Sequence, residues 1–151
     1  MLKGIDPLLT PELLKVLAEM GHGDEIVVAD ANFTAYSLAA GKPVIALHGV
    51  GTLRAAEAIL SLFPLDEHVA QPVAYMQVSG TPEGHLSGFQ REAIARMQVA
   101  GWAQPAQCEA MERFAFYERV RGAYAIVHTG ELQPYANFLF KKGVISEPLR
   151  G

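Results

Sequence analysis

His22 stands between two glycines, in the run Gly21-His22-Gly23-Asp24. Small neighbours leave an imidazole accessible and let the backbone turn sharply. An accessible histidine beside an acid suits general acid/base work near neutral pH, although an ordinary surface turn has the same composition. Asp30 ends the apolar run Ile26-Val27-Val28-Ala29. A carboxylate so placed needs partners, so it either caps the following loop or holds a ligand. Arg113 and Tyr117 are four residues apart, one helical turn. A guanidinium beside a phenol could serve hydroxyl groups, which both donate and accept; periodicity by itself favours an amphipathic helix with Phe114 and Phe116 in the core and Arg113 and Arg119 in solvent. Tyr135-Ala136-Asn137 carries the same ambiguity, because such residues commonly make turns.

The elements that must position these groups alternate in type. Thr10-Pro11-Glu12 has the hydroxyl cap, first-turn proline and first-turn acid of a helix start, and Leu13, Leu14, Leu17 and Met20 follow at helical spacing, with Gly21 expected as a left-handed cap. Strands are expected at Glu25–Ala29, Val44–Leu47, Val73–Val78, Ala123–His128 and Asn137–Phe140. Helices are expected from Thr52 to Phe63, Ser87 to Val99 and Glu109 to Val120, with Ala31 to Thr34 a loop. The alternation predicts an α/β fold: a Rossmann-like, mainly parallel sheet flanked by helices, with residues 1–151 forming one domain. Ligands of such sheets gather at the carboxyl ends of the strands. Asp30, His48 and His128-Thr129 fall there. His22 falls at the opposite end and reaches such a site only if its turn meets a neighbouring subunit or the chain folds back.

Composition narrows the function. Of the 151 residues, 50% are hydrophobic and 19% charged, which points to apolar surface buried between subunits. A net charge of −4 with no basic cluster argues against nucleic-acid or anionic-membrane partners. The single cysteine, Cys108, precludes an internal disulfide and suits a reducing compartment, and no apolar stretch is long enough to span a membrane; a cytoplasmic location is expected. Gly49-Val50-Gly51 follows a strand and opens a helix, but Arg54 stands where a dinucleotide site needs its third glycine. His22, Asp24, Asp30 and His48 lack any recognised metal-ligand spacing. Neither a cofactor nor a metal is expected.

Taken in order, Gly21-His22-Gly23-Asp24, Asp30, Arg113-Phe114-Ala115-Phe116-Tyr117-Glu118-Arg119, Thr129-Gly130-Glu131 and Tyr135-Ala136-Asn137 before Lys141-Lys142-Gly143-Val144 resemble the RbsD/FucU family, over about Met1 to Val144. Arg113 and Tyr117 set the chain nearer the fucose-mutarotase branch than the ribose-pyranase branch, which typically has histidine and lysine there. The resemblance implies an isomerase that interconverts ring forms of a free monosaccharide, L-fucose or a similar sugar, and assembly into a ring-shaped homodecamer with sites near subunit contacts. It implies His22 as the catalytic acid, with Tyr117 as its candidate catalytic partner, and Asp30, Arg113, Tyr135, Ala136 and Asn137 as sugar-binding positions. The chain departs from the family at Ala31–Tyr36, where a histidine-containing loop is frequent, and is longer between Val78 and Arg113. A D-ribose pyranase and a non-catalytic, transport-associated sugar binder are the alternatives.

Anomer exchange requires opening a hemiacetal, turning the aldehyde face and closing the ring. One acid/base imidazole with a proton-accepting partner meets that need, for about 10²–10⁴-fold over water. Charged and amide groups would hold the remaining hydroxyls.

Overall fold

A computed structural model describes residues 1–147. Five helices, a short 3₁₀ turn and six strands follow in order: α1 (Pro11–Glu19), β1 (Glu25–Ala29), α2 (Ala35–Leu38), β2 (Val44–Leu47), α3 (Thr52–Leu60), β3 (Val73–Met76), α4 (Gly88–Val99), β4 (Cys108–Met111), α5 (Arg113–Arg121), β5 (Ala125–Thr129) and β6 (Phe138–Lys141). The strands form a single sheet in the order β2-β5-β1-β6-β3-β4. β1 and β2 both pair parallel to β5, and β3 pairs parallel to β4. β6 runs antiparallel between β1 and β3. Its first residues therefore lie beside the carboxyl ends of β1 and β3, and its last residues beside their starts.

Both faces are covered, as the apolar strands require. α1, α3 and α4 cover one face through Leu13, Val16, Leu17, Ile59, Phe89 and Ile94, packed on Ile26, Val28, Phe138 and Phe140. On the other, Phe33 and Leu38 of the α2 region and Phe116 and Val120 of α5 pack on Val27, Ala29, Ile126 and Leu139. α1 begins as expected, with Thr10 Oγ1 accepting from the Leu13 N–H at 3.2 Å. α4 has a full capping box: Ser87 Oγ accepts from the Gln90 N–H, and Gln90 Oε1 accepts from the Ser87 N–H.

Several expectations are corrected. The segment expected to be helical from Glu109 instead continues a strand, β4, to Met111. Edge pairing to β3 captures Cys108–Met111, and the helix starts only after Glu112, whose carboxylate caps the Phe114 and Ala115 N–H groups. Gly21 is not left-handed; α1 ends on extended Met20, and the positive φ of 87° falls on Gly23. Ala31–Thr34 is a loop as expected, and a short helix, α2, that was not expected follows from Ala35. On α5, Phe114 is exposed while Phe116 is buried. Arg119 is not solvated: it forks onto Glu25 at 3.0 Å and reaches Glu109 at 2.6 Å, clamping α5 to β1 and β4.

Candidate functional site at the carboxyl edge of the sheet

Asp30 leaves β1 almost fully buried. Its carboxylate accepts from the Asn32 N–H at 3.0 Å, while its own N–H donates to Asn137 Oδ1 at 2.8 Å. Burial pushes the carboxyl above its ordinary value, against the opposing pull of donors on Asn32, Asn137, Ala136 and Phe33. The antiparallel entry of β6 is what brings Ala136 and Asn137 to Asp30; both are buried.

Tyr135 takes φ 59°, a left-handed conformation uncommon for a residue with a Cβ. Gln90 holds it. The fully buried Gln90 amide donates to the Met76 carbonyl at 2.7 Å and to the Tyr135 carbonyl at 3.1 Å, tying α4 to the end of β3 and to this turn. Sequence reading missed Gln90, whose only visible signal was its place in the Ser87-x-x-Gln90 capping pattern.

Arg113 opens α5, directly beyond the carboxyl end of β4. Its guanidinium carbon lies 4.7 Å from the Phe114 ring centre and 5.9 Å from that of Tyr117. Arg113 Nε is buried and has no hydrogen-bond partner. The Tyr117 ring stands edge-on to Phe33 at 5.7 Å, and the Phe33 N–H donates to the Asp30 carbonyl. Contacts thus run unbroken from Arg113 through Tyr117 and Phe33 to Asp30. A guanidinium, a phenol, a carboxylate and an amide share one edge of the sheet.

His22 lies elsewhere. It precedes β1, and that strand alone spans roughly 17 Å at about 3.3 Å per residue, so one chain does not bring His22 to Asp30. His22 Nε2 instead contacts Asp66 Oδ1 at 3.2 Å, with the imidazole half-exposed at 47% and the carboxylate side chain only 4% exposed. Asp66 also accepts from the His68 N–H at 3.0 Å. That bond first, and His22 after it, hold the carboxyl below its ordinary value. A carboxylate kept ionised can only accept, so Nε2 carries the proton and Nδ1 is left as the free nitrogen of the ring.

The far end of β6 builds this second group. Lys142 exchanges backbone bonds with the His22 turn, donating to the Asp24 carbonyl and accepting from the Gly23 N–H, and its ammonium donates to the Leu17 and Met20 carbonyls. Asp66 donates its N–H to the Lys141 carbonyl. Gly143 passes so close that a Cβ would lie 2.5 Å from the Leu65 carbonyl oxygen, a contact only glycine permits. Asp66 went unnoticed in the sequence because its partner is 44 residues away and no spacing rule joins them.

The Gly49-Val50-Gly51 turn does cap α3, but a Cβ on Gly51 would lie 2.6 Å from Glu131 Oε2. A carboxylate already stands where a phosphate would approach that helix.

The groups at the sheet edge are those that a small, hydroxyl-rich molecule calls for, set on a mixed α/β sheet. The sequence profile of the RbsD/FucU transport protein family matches residues 3–145. An L-fucose mutarotase of Actinobacillus pleuropneumoniae is 47% identical over 95% of this chain and 97% of its own. The fucose mutarotase of Homo sapiens is 43% identical over 96% and 95%. Among solved structures, the fucose mutarotase of Streptococcus pneumoniae in complex with L-fucose superposes with a TM-score of 0.85 at 40% identity, covering 95% of this chain and 99% of that one. Bacillus subtilis RbsD complexed with D-ribose shares the fold, with a TM-score of 0.70 at 23% identity over 96% and 99%. This chain belongs to the RbsD/FucU family.

Proposed function

We propose that this protein is a mutarotase that interconverts the anomers of free L-fucose. The observation that carries the reading is Arg113 Nε, a buried donor with no partner, held over Tyr117 on the edge that also bears Asp30. A buried unpaired donor costs about 1–3 kcal/mol, which a ligand oxygen relieves on binding. L-fucose is the substrate named for the Actinobacillus relative at 47% identity, fucose is the one named for the human relative at 43%, and L-fucose is the ligand of the Streptococcus pneumoniae protein.

In this reading Asp30, Arg113, Tyr135, Asn137 and the Ala136 backbone hold the sugar hydroxyls. The Nδ1 lone pair of His22 takes the proton of the anomeric hydroxyl while the Tyr117 O–H gives its proton to the ring oxygen. The C1–ring-oxygen bond breaks as the aldehyde forms. Closure on the other face returns both protons, so the groups regenerate themselves. The rings of Phe33 and Tyr117 offer an apolar wall to the methyl of a 6-deoxy sugar, worth about 1–3 kcal/mol, or roughly 10–200-fold, over a sugar lacking it.

Because His22 and Asp30 sit at opposite ends of β1, the complete site joins His22 of one subunit to the Asp30 edge of another. Exposed Phe114, Leu132, Val144 and Ile145 provide apolar surface for such contacts, and the family likeness supports a ring-shaped homodecamer of one-domain chains. The lone free thiol supports a cytoplasmic setting; among the described residues no helix is long and apolar enough to cross a membrane.

Magnetisation-transfer NMR between the two anomers of free L-fucose tests the activity directly. Catalysed exchange is expected, faster for L-fucose than for D-ribose. Saturable binding with exchange at its spontaneous rate would make the protein a sugar binder instead.

A further inference from the structure

A pair of imidazoles stands at the sheet edge outside the groups assigned above. His48 follows β2 and His128 belongs to β5; His48 Nε2 and His128 Nδ1 are 3.2 Å apart, with the rings nearly perpendicular at 87°. The other nitrogen of His128, Nε2, lies 3.1 Å from the Ala31 carbonyl oxygen. A carbonyl only accepts, so Nε2 carries the proton and Nδ1 presents a lone pair towards His48. The His128 ring also meets Tyr36 edge-on at 5.7 Å, which fixes its plane. Without a metal, His48 Nε2 donates its proton to the His128 Nδ1 lone pair; His48 is exposed, so moving the proton to its Nδ1 frees Nε2 to bind an ion.

We propose that His48 and His128 form a binding site for a divalent transition-metal ion, of which Zn²⁺ is the simplest probe. Metal–imidazole bonds of about 2.0–2.1 Å to two nitrogens 3.2 Å apart enclose an N–metal–N angle of about 100°, between octahedral and tetrahedral values. The bond from His128 Nε2 to a backbone carbonyl is the outer support that metal-ligating histidines generally have. Among the described residues no third His, Cys, Asp or Glu converges on the pair, so water or solute completes the coordination and the ion exchanges. The two ligands lie 80 residues apart in sequence, which is why no spacing motif reveals them. The Ala31 carbonyl adjoins Asp30, so an ion on His128 braces the segment that leaves the sugar-binding carboxylate.

Isothermal titration of the full chain with Zn²⁺ at neutral pH, without sugar, is independent of the activity. One saturable ion per chain is expected. His48→Ala, at an exposed position, should weaken it by at least about tenfold. His68→Ala should leave it unchanged, because that variant disrupts only the other close imidazole pair, His22 and His68, whose ring centres are 5.7 Å apart. No saturable binding, equal binding by His48→Ala, or loss on His68→Ala would each overturn the proposal.

Discussion

His22 donates its Nε2 proton to Asp66, a carboxylate buried behind it and held ionised by the His68 N–H. That bond fixes the tautomer and aims Nδ1 outward. In the proposed mechanism Asp66 is thereby a positioning residue for His22. Asp66→Asn is expected to slow L-fucose exchange at saturating sugar on the order of 10–100-fold, with sugar affinity unchanged. A fall in affinity with an unchanged saturated rate would assign Asp66 to folding of the site rather than to His22.

The distance along β1 makes a mixing experiment decisive. If the site is shared between subunits as proposed, His22→Ala and Arg113→Ala each lack one half of it. Co-assembled at equal ratio, they should recover about one quarter of wild-type exchange, because one random pairing in four joins two intact halves. Mixtures that stay inactive while native mass spectrometry shows mixed assemblies would confine the site to one chain.

Asp30→Asn is expected to abolish tight sugar binding and to spare the fold. The folded state holds the Asp30 proton more firmly than the unfolded chain does, since burial raises this carboxyl above 3.8. Its stabilising contribution is therefore complete below that ordinary value and is lost as pH rises through the raised one. Asparagine has no proton to lose. Thermal melts from acid to neutral pH should show the variant gaining on the wild type as pH rises; a variant that falls further behind would mean the ionised carboxylate stabilises the fold.

Arg113→Lys keeps the charge but loses the planar fork that lies over Phe114 and Tyr117. Exchange should drop by at least about tenfold, as expected for a lost charge-assisted hydrogen bond of about 1.5–3 kcal/mol. Wild-type exchange in this variant would show that charge alone suffices.

Burial pushes the Cys108 thiol up to about 11. Thiolate is therefore scarce at pH 8, and the native protein should resist a thiol-reactive dye that labels the denatured chain at one site. Rapid native labelling would mean that β4 opens readily at the sheet edge.

The apolar runs made strands legible in the sequence: Glu25–Ala29, whose Ile26–Ala29 are buried on both faces, and edge strand Val44–Leu47, with Ala46 exposed, match residue for residue. Cys108–Met111 was misread because Glu109-Ala-Met-Glu has good helical propensity, and only pairing with β3 makes it a strand. Asp30 could be suspected from its place after an apolar strand. Its bond with Asn137 could not, because that depends on β6 running against its neighbours, and strand direction leaves no mark in composition. Asp66 and Gln90 were hidden for a related reason, since each acts through a partner that only the tertiary fold supplies; His48 and His128 were placed at the same end of the sheet, but their 3.2 Å contact was not.

The position of β6 also governs the order in which a nascent chain can mature. β1 pairs only with β5 and β6, and β2 only with β5. Before residue 125 leaves the ribosome, β3 and β4 are the only two strands with a partner available. A polypeptide interrupted before Phe138 would carry a gap between β1 and β3, with the apolar edges of both strands open to other chains. The same strand later seats Asn137 beside Asp30 at one end and anchors the His22 turn at the other. Closing the sheet and placing both Asn137 and the His22 turn thus depend on one strand, so a chain lacking it would have neither group in place and would expose aggregation-prone edges.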